Sequence, residues 1–184
     1  FDDKNLMAEN VIAEIPGTDP KAGYVMAGAH FDSWIAGDGA NDNGAGSVAV
    51  IEAARLISKL GIRPRRTIRF ALWSGEEQGL LGSRAYIEQH LASRPVDPAL
   101  TGIESYVAWR NAFPITPKSE YTALKAYFNM DNGSGRFRGI YAEGNLGAGA
   151  ILGDWLAPFK AMGAGRVVAE KTGGTDHVYL QSIG

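Results

Sequence analysis

One stretch constrains this chain more than any other: Tyr24–Asp42, YVMAGAHFDSWIAGDGAND. It opens with a short apolar run, Tyr24–Ala29, of strand length, entered through Gly23. His30 and Asp32 follow at once, then a glycine-rich turn, then Asp42, after which the pattern becomes helical. A buried strand ending in histidine, a loop that returns a carboxylate and a helix that starts there form a plan for a metal site. Open α/β sheets place ligands at the carboxyl ends of their strands.

The flanking segments read as alternating strands and helices. Asn10–Ile15 reads as a first strand, closed by Pro16-Gly17-Thr18-Asp19-Pro20, and close enough to Tyr24–Ala29 to pair with it as an edge hairpin. Asn43–Leu60 is the clearest helix, with Asp42 or Asn43 as N-cap and Gly61 as stop. Glu52, Arg55 and Lys59 make its polar stripe, and Val48, Ile51, Ala54 and Ile57 its expected buried face. Thr67–Trp73 is a strand leading into Ser74-Gly75-Glu76-Glu77, and Ser83–Leu91 a second helix. Residues 94–121 are irregular, with four prolines, and long for a loop, so they are functional or partly structured. Leu124–Met130 is a strand ending at Asp131, Gly147–Met162 a helix, Arg166–Glu170 a strand and Lys171–His177 a glycine-rich loop. The alternation predicts an α/β fold: a three-layer α/β/α sandwich around a mixed, largely parallel sheet.

Composition limits the function. The 184 residues suit one domain, and a net charge of −2 gives no electrostatic case for nucleic acid or an anionic membrane. Cysteine is absent, which excludes disulfides and cysteine-based zinc sites. No apolar run approaches the length of a membrane span. The chain begins at Phe1 without a methionine and stops soon after His177, so the expectation is a segment of a longer protein, with no second domain in residues 1–184.

The predicted strand ends collect His30, Glu76, Glu77 and Asp131, with Asp42 at a helix start and His177 in the last loop. Singly, Asp42 reads as a helix cap and Asp131-Asn132-Gly133 as a turn, while His30 reads equally as a ligand or a core histidine. Together, four carboxylates at one sheet edge repel: at 4 Å and an effective dielectric near 20, one pair costs about 4 kcal/mol. Two divalent cations remove that cost. Imidazole mixed with carboxylate suits zinc rather than an all-oxygen calcium or magnesium cage. One shared carboxylate, with a histidine and another carboxylate on each side, would use His30, Asp42, Glu77, Asp131 and His177. Glu76 is left over, as a hydrolase needs of a general base.

GAHFDS, GANDNGAGS, WSGEEQGLLGS, YFNMDNGSG and TGGTDH together resemble the co-catalytic zinc exopeptidases, a family of leucyl aminopeptidases and glutamate carboxypeptidases. RPRRTIRFALWSGEEQGLLGSRAYI looks closest to the plasma glutamate carboxypeptidase branch. The resemblance implies two Zn²⁺, one on His30 and Asp131 and one on Glu77 and His177. It further implies that Asp42 bridges them, Glu76 acts as base, Asp32 orients His30 and the Asp42–Asn43 peptide is cis. Asp176 reads chiefly as a loop residue. The implied activity is hydrolysis of peptides or dipeptides, in an extracytoplasmic, periplasmic or secreted location, with room for a homodimer of the longer protein. Two other readings share the fold: a single-zinc acyltransferase resembling glutaminyl cyclase, and a non-catalytic ectodomain.

Overall fold

The computed structural model describes residues 8–131 and 133–184. Its described backbone forms two compact units, residues 8–131 with 175–184, and residues 133–174.

The first unit is built on a sheet of β1 (Val11–Ile15), β2 (Tyr24–His30), β3 (Thr67–Trp73) and β6 (Leu124–Asn129), in the order β1-β3-β2-β6. β2 runs parallel to both its neighbours, and β1 is antiparallel to β3. A strand between two parallel partners is covered on both faces, which is why Tyr24–Ala29 is apolar without alternation. On one face Ala29 and Phe70 pack with Val50 of α1 (Ala45–Lys59). On the other, Tyr24, Met26, Ala71 and Trp73 pack against α2 (Leu81–Tyr86, prolonged by a wider turn through Ile87–Leu91) and Val178–Leu180. Helices on both faces make the expected three layers.

The expected β1–β2 hairpin does not form; β3 lies between the two strands. The connection from β1 binds the approach to β3 instead of turning back. Thr18 N–H donates to the Pro64 carbonyl at 2.9 Å and Asp19 N–H to that of Arg65 at 3.0 Å. Gly17 lies so close that a Cβ there would sit 2.5 Å from the Arg66 carbonyl carbon.

The buried face of α1 also differs from the expectation: Val48 is 64% exposed and Ile51 53%. The residues turned inward are Gly46, Ser47 and Val50, then Ala53, Ala54 and Ile57. The rotation is set at the helix start. Asn43 Oδ1 accepts from Gly46 N–H at 3.0 Å while its Nδ2 donates to the Met130 carbonyl at 2.9 Å, tying the first turn to the end of β6. Ser47 Oγ, on the same face, donates to the His30 carbonyl at 2.7 Å. The expected polar stripe is solvated, with Arg55 paired to Glu52 at 2.6 Å.

Residues 94–121 prove structured. β4 (Ala92–Ser93) pairs with β5 (Thr116–Pro117), and α3 (Gly102–Asn111) lies between them in sequence. Arg94 donates to the carbonyls of Arg110, Ala112 and Ser182, joining the end of α3 to α5 (His177–Ser182). Trp109 and Tyr179 meet edge to face at 4.9 Å. The six-residue α5 is too short to show a period after the Gly173-Gly174 pair.

The second unit pairs β7 (Gly139–Tyr141) with β8 (Arg166–Val168) in parallel. Between them run α4 (Leu146–Leu156) and a 3₁₀ turn, Ala157–Met162, so the expected single helix tightens at Pro158. Asn145 caps α4 through Ala148 N–H at 3.1 Å. β7 escaped sequence reading because it is three residues long.

Candidate metal centre

His30 ends β2 at the carboxyl edge of the sheet and is buried. Its Nδ1 lies 3.1 Å from the Asp32 carbonyl, an acceptor only, so Nδ1 carries a proton. Its Nε2 faces two carboxylates, Asp131 Oδ1 at 3.0 Å and Asp42 Oδ1 at 3.1 Å. With acceptors on both sides the free ring is an imidazolium. Burial would lower its pKa, but the hydrogen bond and charge of Asp131, helped by Glu76 and Asp32, raise it to about 9.

Asp42 lies before α1 in an extended backbone conformation (φ −121°, ψ 95°), and the Asp42–Asn43 peptide is cis, as the resemblance implied. Glu76 and Glu77 follow β3 through Gly75, whose φ of +66° turns the chain sharply. Asp32 clasps this turn: Oδ1 accepts from Glu76 N–H at 3.1 Å and Oδ2 from Glu77 N–H at 3.2 Å. The two glutamates then diverge. Ligand atoms of His30, Glu76 and Asp131 lie within 4.8 Å of one another, and so do those of His30, Asp42 and Glu77.

The electrostatics are those of crowded carboxylates. Burial, with the charges of Asp131, Asp176 and Glu77, raises Glu76 to about 8 against the opposing pull of His30. Burial and Asp42 raise Glu77. Asp131 goes the other way: burial is outweighed by hydrogen bonds from His30 and Thr175. Asp176 is fully buried, and burial raises it to about 7 despite the Ser83 hydroxyl. It belongs to the charge field beneath the site rather than to a solvated loop. His177 starts α5, is buried, and its charge acts on Asp131, but it stands outside both three-residue groups.

Glu77, a member of the second group, keeps its Oε1 buried without a hydrogen-bond partner. A buried acceptor left open costs about 1–3 kcal/mol, which a cation there would recover. Imidazole and carboxylate donors in overlapping groups fit a pair of zinc-sized cations. Asn43 entered the sequence reading only as a helix cap, and Ser47 and Thr175 were not singled out, because the bonds through which they support the site need partners that only folding supplies.

Fold and site together define an α/β/α sandwich with an imidazole–carboxylate cluster at the carboxyl edge of its sheet, suited to divalent cations. The chain belongs to peptidase family M28, whose profile matches residues 10–184. It is 47% identical over 81 residues to carboxypeptidase Q from Xenopus laevis, 44% of this chain and 17% of that protein. The structure of a peptidase M28 precursor from Shewanella amazonensis SB2B superposes with a TM-score of 0.72 at 30% identity, covering 95% of this chain and 34% of that one. A zinc aminopeptidase from Bacillus subtilis shares the fold with a TM-score of 0.64 at 22% identity, covering 95% of this chain and 37% of that one. The chain therefore spans about a third of the solved relatives it matches.

Proposed function

We propose that this chain is part of the catalytic domain of a zinc-dependent exopeptidase acting on peptides or dipeptides in an extracytoplasmic setting. The observation that carries the reading is the divergence of Glu76 and Glu77 into two ligand groups that share His30. Among the described residues no helix is long and apolar enough to cross a membrane.

His30 and Asp131 would hold one zinc, Glu77 and His177 the other, with Asp42 between them; the contact of Asp42 with His30 Nε2 and its grouping with Glu77 support that bridging role. Bound zinc would supply Lewis acidity toward the peptide carbonyl and the attacking water. Glu76 takes the water's proton and returns it to the leaving amine. Burial suits it to this, because a carboxylate whose proton affinity lies nearer neutrality is the better base at neutral pH. Asp32 positions both glutamates through their backbone N–H groups and faces His30.

The test is Glu76→Gln in the full-length protein, assayed on a panel of dipeptides and longer peptides with zinc content measured. The expected result is a loss of at least ~10²-fold in kcat with both zincs retained. Near-normal turnover with the metal confirmed would remove Glu76 as the base. One tightly held zinc, with ammonia released in place of an amino acid, would favour the single-metal acyltransferase instead.

A further inference from the structure

Trp73, the last residue of β3, is fully buried, and its indole N–H donates to the Tyr127 hydroxyl at 2.8 Å. Tyr127 donates to Asn129 Oδ1 at 2.6 Å, and Asn129 Nδ2 donates to Thr175 Oγ1 at 2.9 Å. The Thr175 side chain, itself buried, acts on Asp131 and helps to hold its carboxyl below the usual range. Four residues from two strands and the last loop thus form one chain of hydrogen bonds, and its last member, Thr175, acts on a carboxylate of the cation cluster.

The chain runs in one sense. An indole nitrogen can only donate, so Tyr127 must accept at its oxygen and has its proton free to give. That proton requires an oxygen at Asn129, which turns the amide nitrogen toward Thr175. Thr175 then accepts at Oγ1 and has its own proton free for Asp131. An ionised carboxylate only accepts, so each end allows the same direction and no other. Aligned hydrogen bonds polarise one another, so the last donor is stronger than an isolated hydroxyl. Room for the chain is reserved by Gly28, where a Cβ would sit 2.6 Å from the Tyr127 hydroxyl and 2.8 Å from Trp73 Nε1.

We infer that Trp73, Tyr127, Asn129 and Thr175 form a one-way donor chain that positions Asp131 for the cation, an inference that rests on the metal role proposed for Asp131. Asp131 Oδ1 is turned toward His30 Nε2 at 3.0 Å, and a Thr175 proton given to the carboxylate would hold it in that orientation. It also ties the ends of β3 and β6 to the segment that leads into His177. These are positioning residues, since each would act through Asp131.

Thr175→Val keeps the side chain's shape and removes its hydroxyl. Asn129→Asp replaces the amide donor with an acceptor and turns the Thr175 proton away from Asp131. Thr175→Ser keeps the donor. In the full-length protein, zinc competition against a chelator should show affinity falling about 10–100-fold in Thr175→Val and Asn129→Asp, with Thr175→Ser at wild-type affinity. In the metal-free protein, the Trp73 indole ¹H–¹⁵N resonance should move in the first two variants, which loss of local packing at Thr175 would not cause. Wild-type zinc affinity in a folded Thr175→Val protein overturns the inference. A wild-type protein that takes up no zinc sinks the proposed function instead. The donor chain is then judged on the metal-free resonance: movement in both variants supports it, and no movement in either overturns it.

Discussion

Asp32→Asn is the sharpest probe of how the two glutamates are held. The carboxylate accepts from Glu76 N–H at 3.1 Å and from Glu77 N–H at 3.2 Å, one on each oxygen, and lies 3.5 Å from His30 Nδ1. An amide of the same shape offers one oxygen and one NH₂ group. One backbone N–H keeps a neutral acceptor, and the other is left facing a donor. A hydrogen bond to a charged group is worth about 1.5–3 kcal/mol net, so at least that much is lost from the turn that aims both side chains. If the loss falls on the ordering of Glu77 as a ligand, it becomes a drop in zinc affinity of roughly tenfold to a hundredfold, at 1.4 kcal/mol per decade. Competition against a chelator, in parallel with urea unfolding of the zinc-free protein, separates weakened metal binding from loss of fold. Unchanged affinity would refute the reasoning. It would mean that the turn is held sufficiently by Gly79 and Leu80, whose N–H groups both donate to the Glu76 carbonyl at 2.9 Å.

Gly28→Ala should destabilise the protein by about 1–3 kcal/mol through overpacking against Tyr127 and Trp73, read as a lower urea midpoint at unchanged slope. Val48→Lys and Ile51→Lys should each stay within about 0.5 kcal/mol of wild type in the same assay, since both side chains are exposed. The zinc-free protein should lose stability as pH rises from 5 to 9. His30 goes from 6.5 to about 9 on folding and Glu76 from 4.5 to about 8, so the folded chain holds protons that the unfolded chain has released. That stability is fully present below the unfolded values and is lost as pH passes the folded ones; thermal melts across this range in chelator should show it, and a flat or rising profile would contradict it.

What the sequence disclosed and what it withheld divide along physical lines. β2 was legible because a central strand covered on both faces is apolar throughout, and β3 because its run is apolar apart from Thr67 and Arg69; the clustering of His30, Glu76, Glu77 and Asp131 was legible because strand-end positions follow from strand boundaries. Pairing order was not legible: β1 and β2 are neighbours in sequence, and only the docking of Thr18 and Asp19 on Pro64 and Arg65 places β3 between them. The rotation of α1 was misread for a similar reason. Val48 and Ile51 satisfy helical spacing as well as Val50 and Ile57 do, and the choice is made by Asn43, which bonds Met130 from 87 residues away. Periodicity reports that a helix has an apolar side; a single long-range polar contact decides which side is used.

The same long-range logic explains why the site's charges are arranged as they are. His30, as an imidazolium, draws in Asp131 and Asp42 together, so in the free chain one proton does part of the work of a cation. That proton cannot answer the whole demand. Glu77 keeps a buried oxygen with no partner, and Glu76 and Asp176 respond to the crowding by holding protons nearer neutrality than carboxylates ordinarily do. Two divalent ions would displace the His30 proton and satisfy Glu77. They would also remove the neighbouring negative charges that hinder ionisation of Glu76. On the proposed assignment Glu76 holds neither ion and would be the residue freed to move a proton, so the proposed base and the proposed cations rest on a single electrostatic argument.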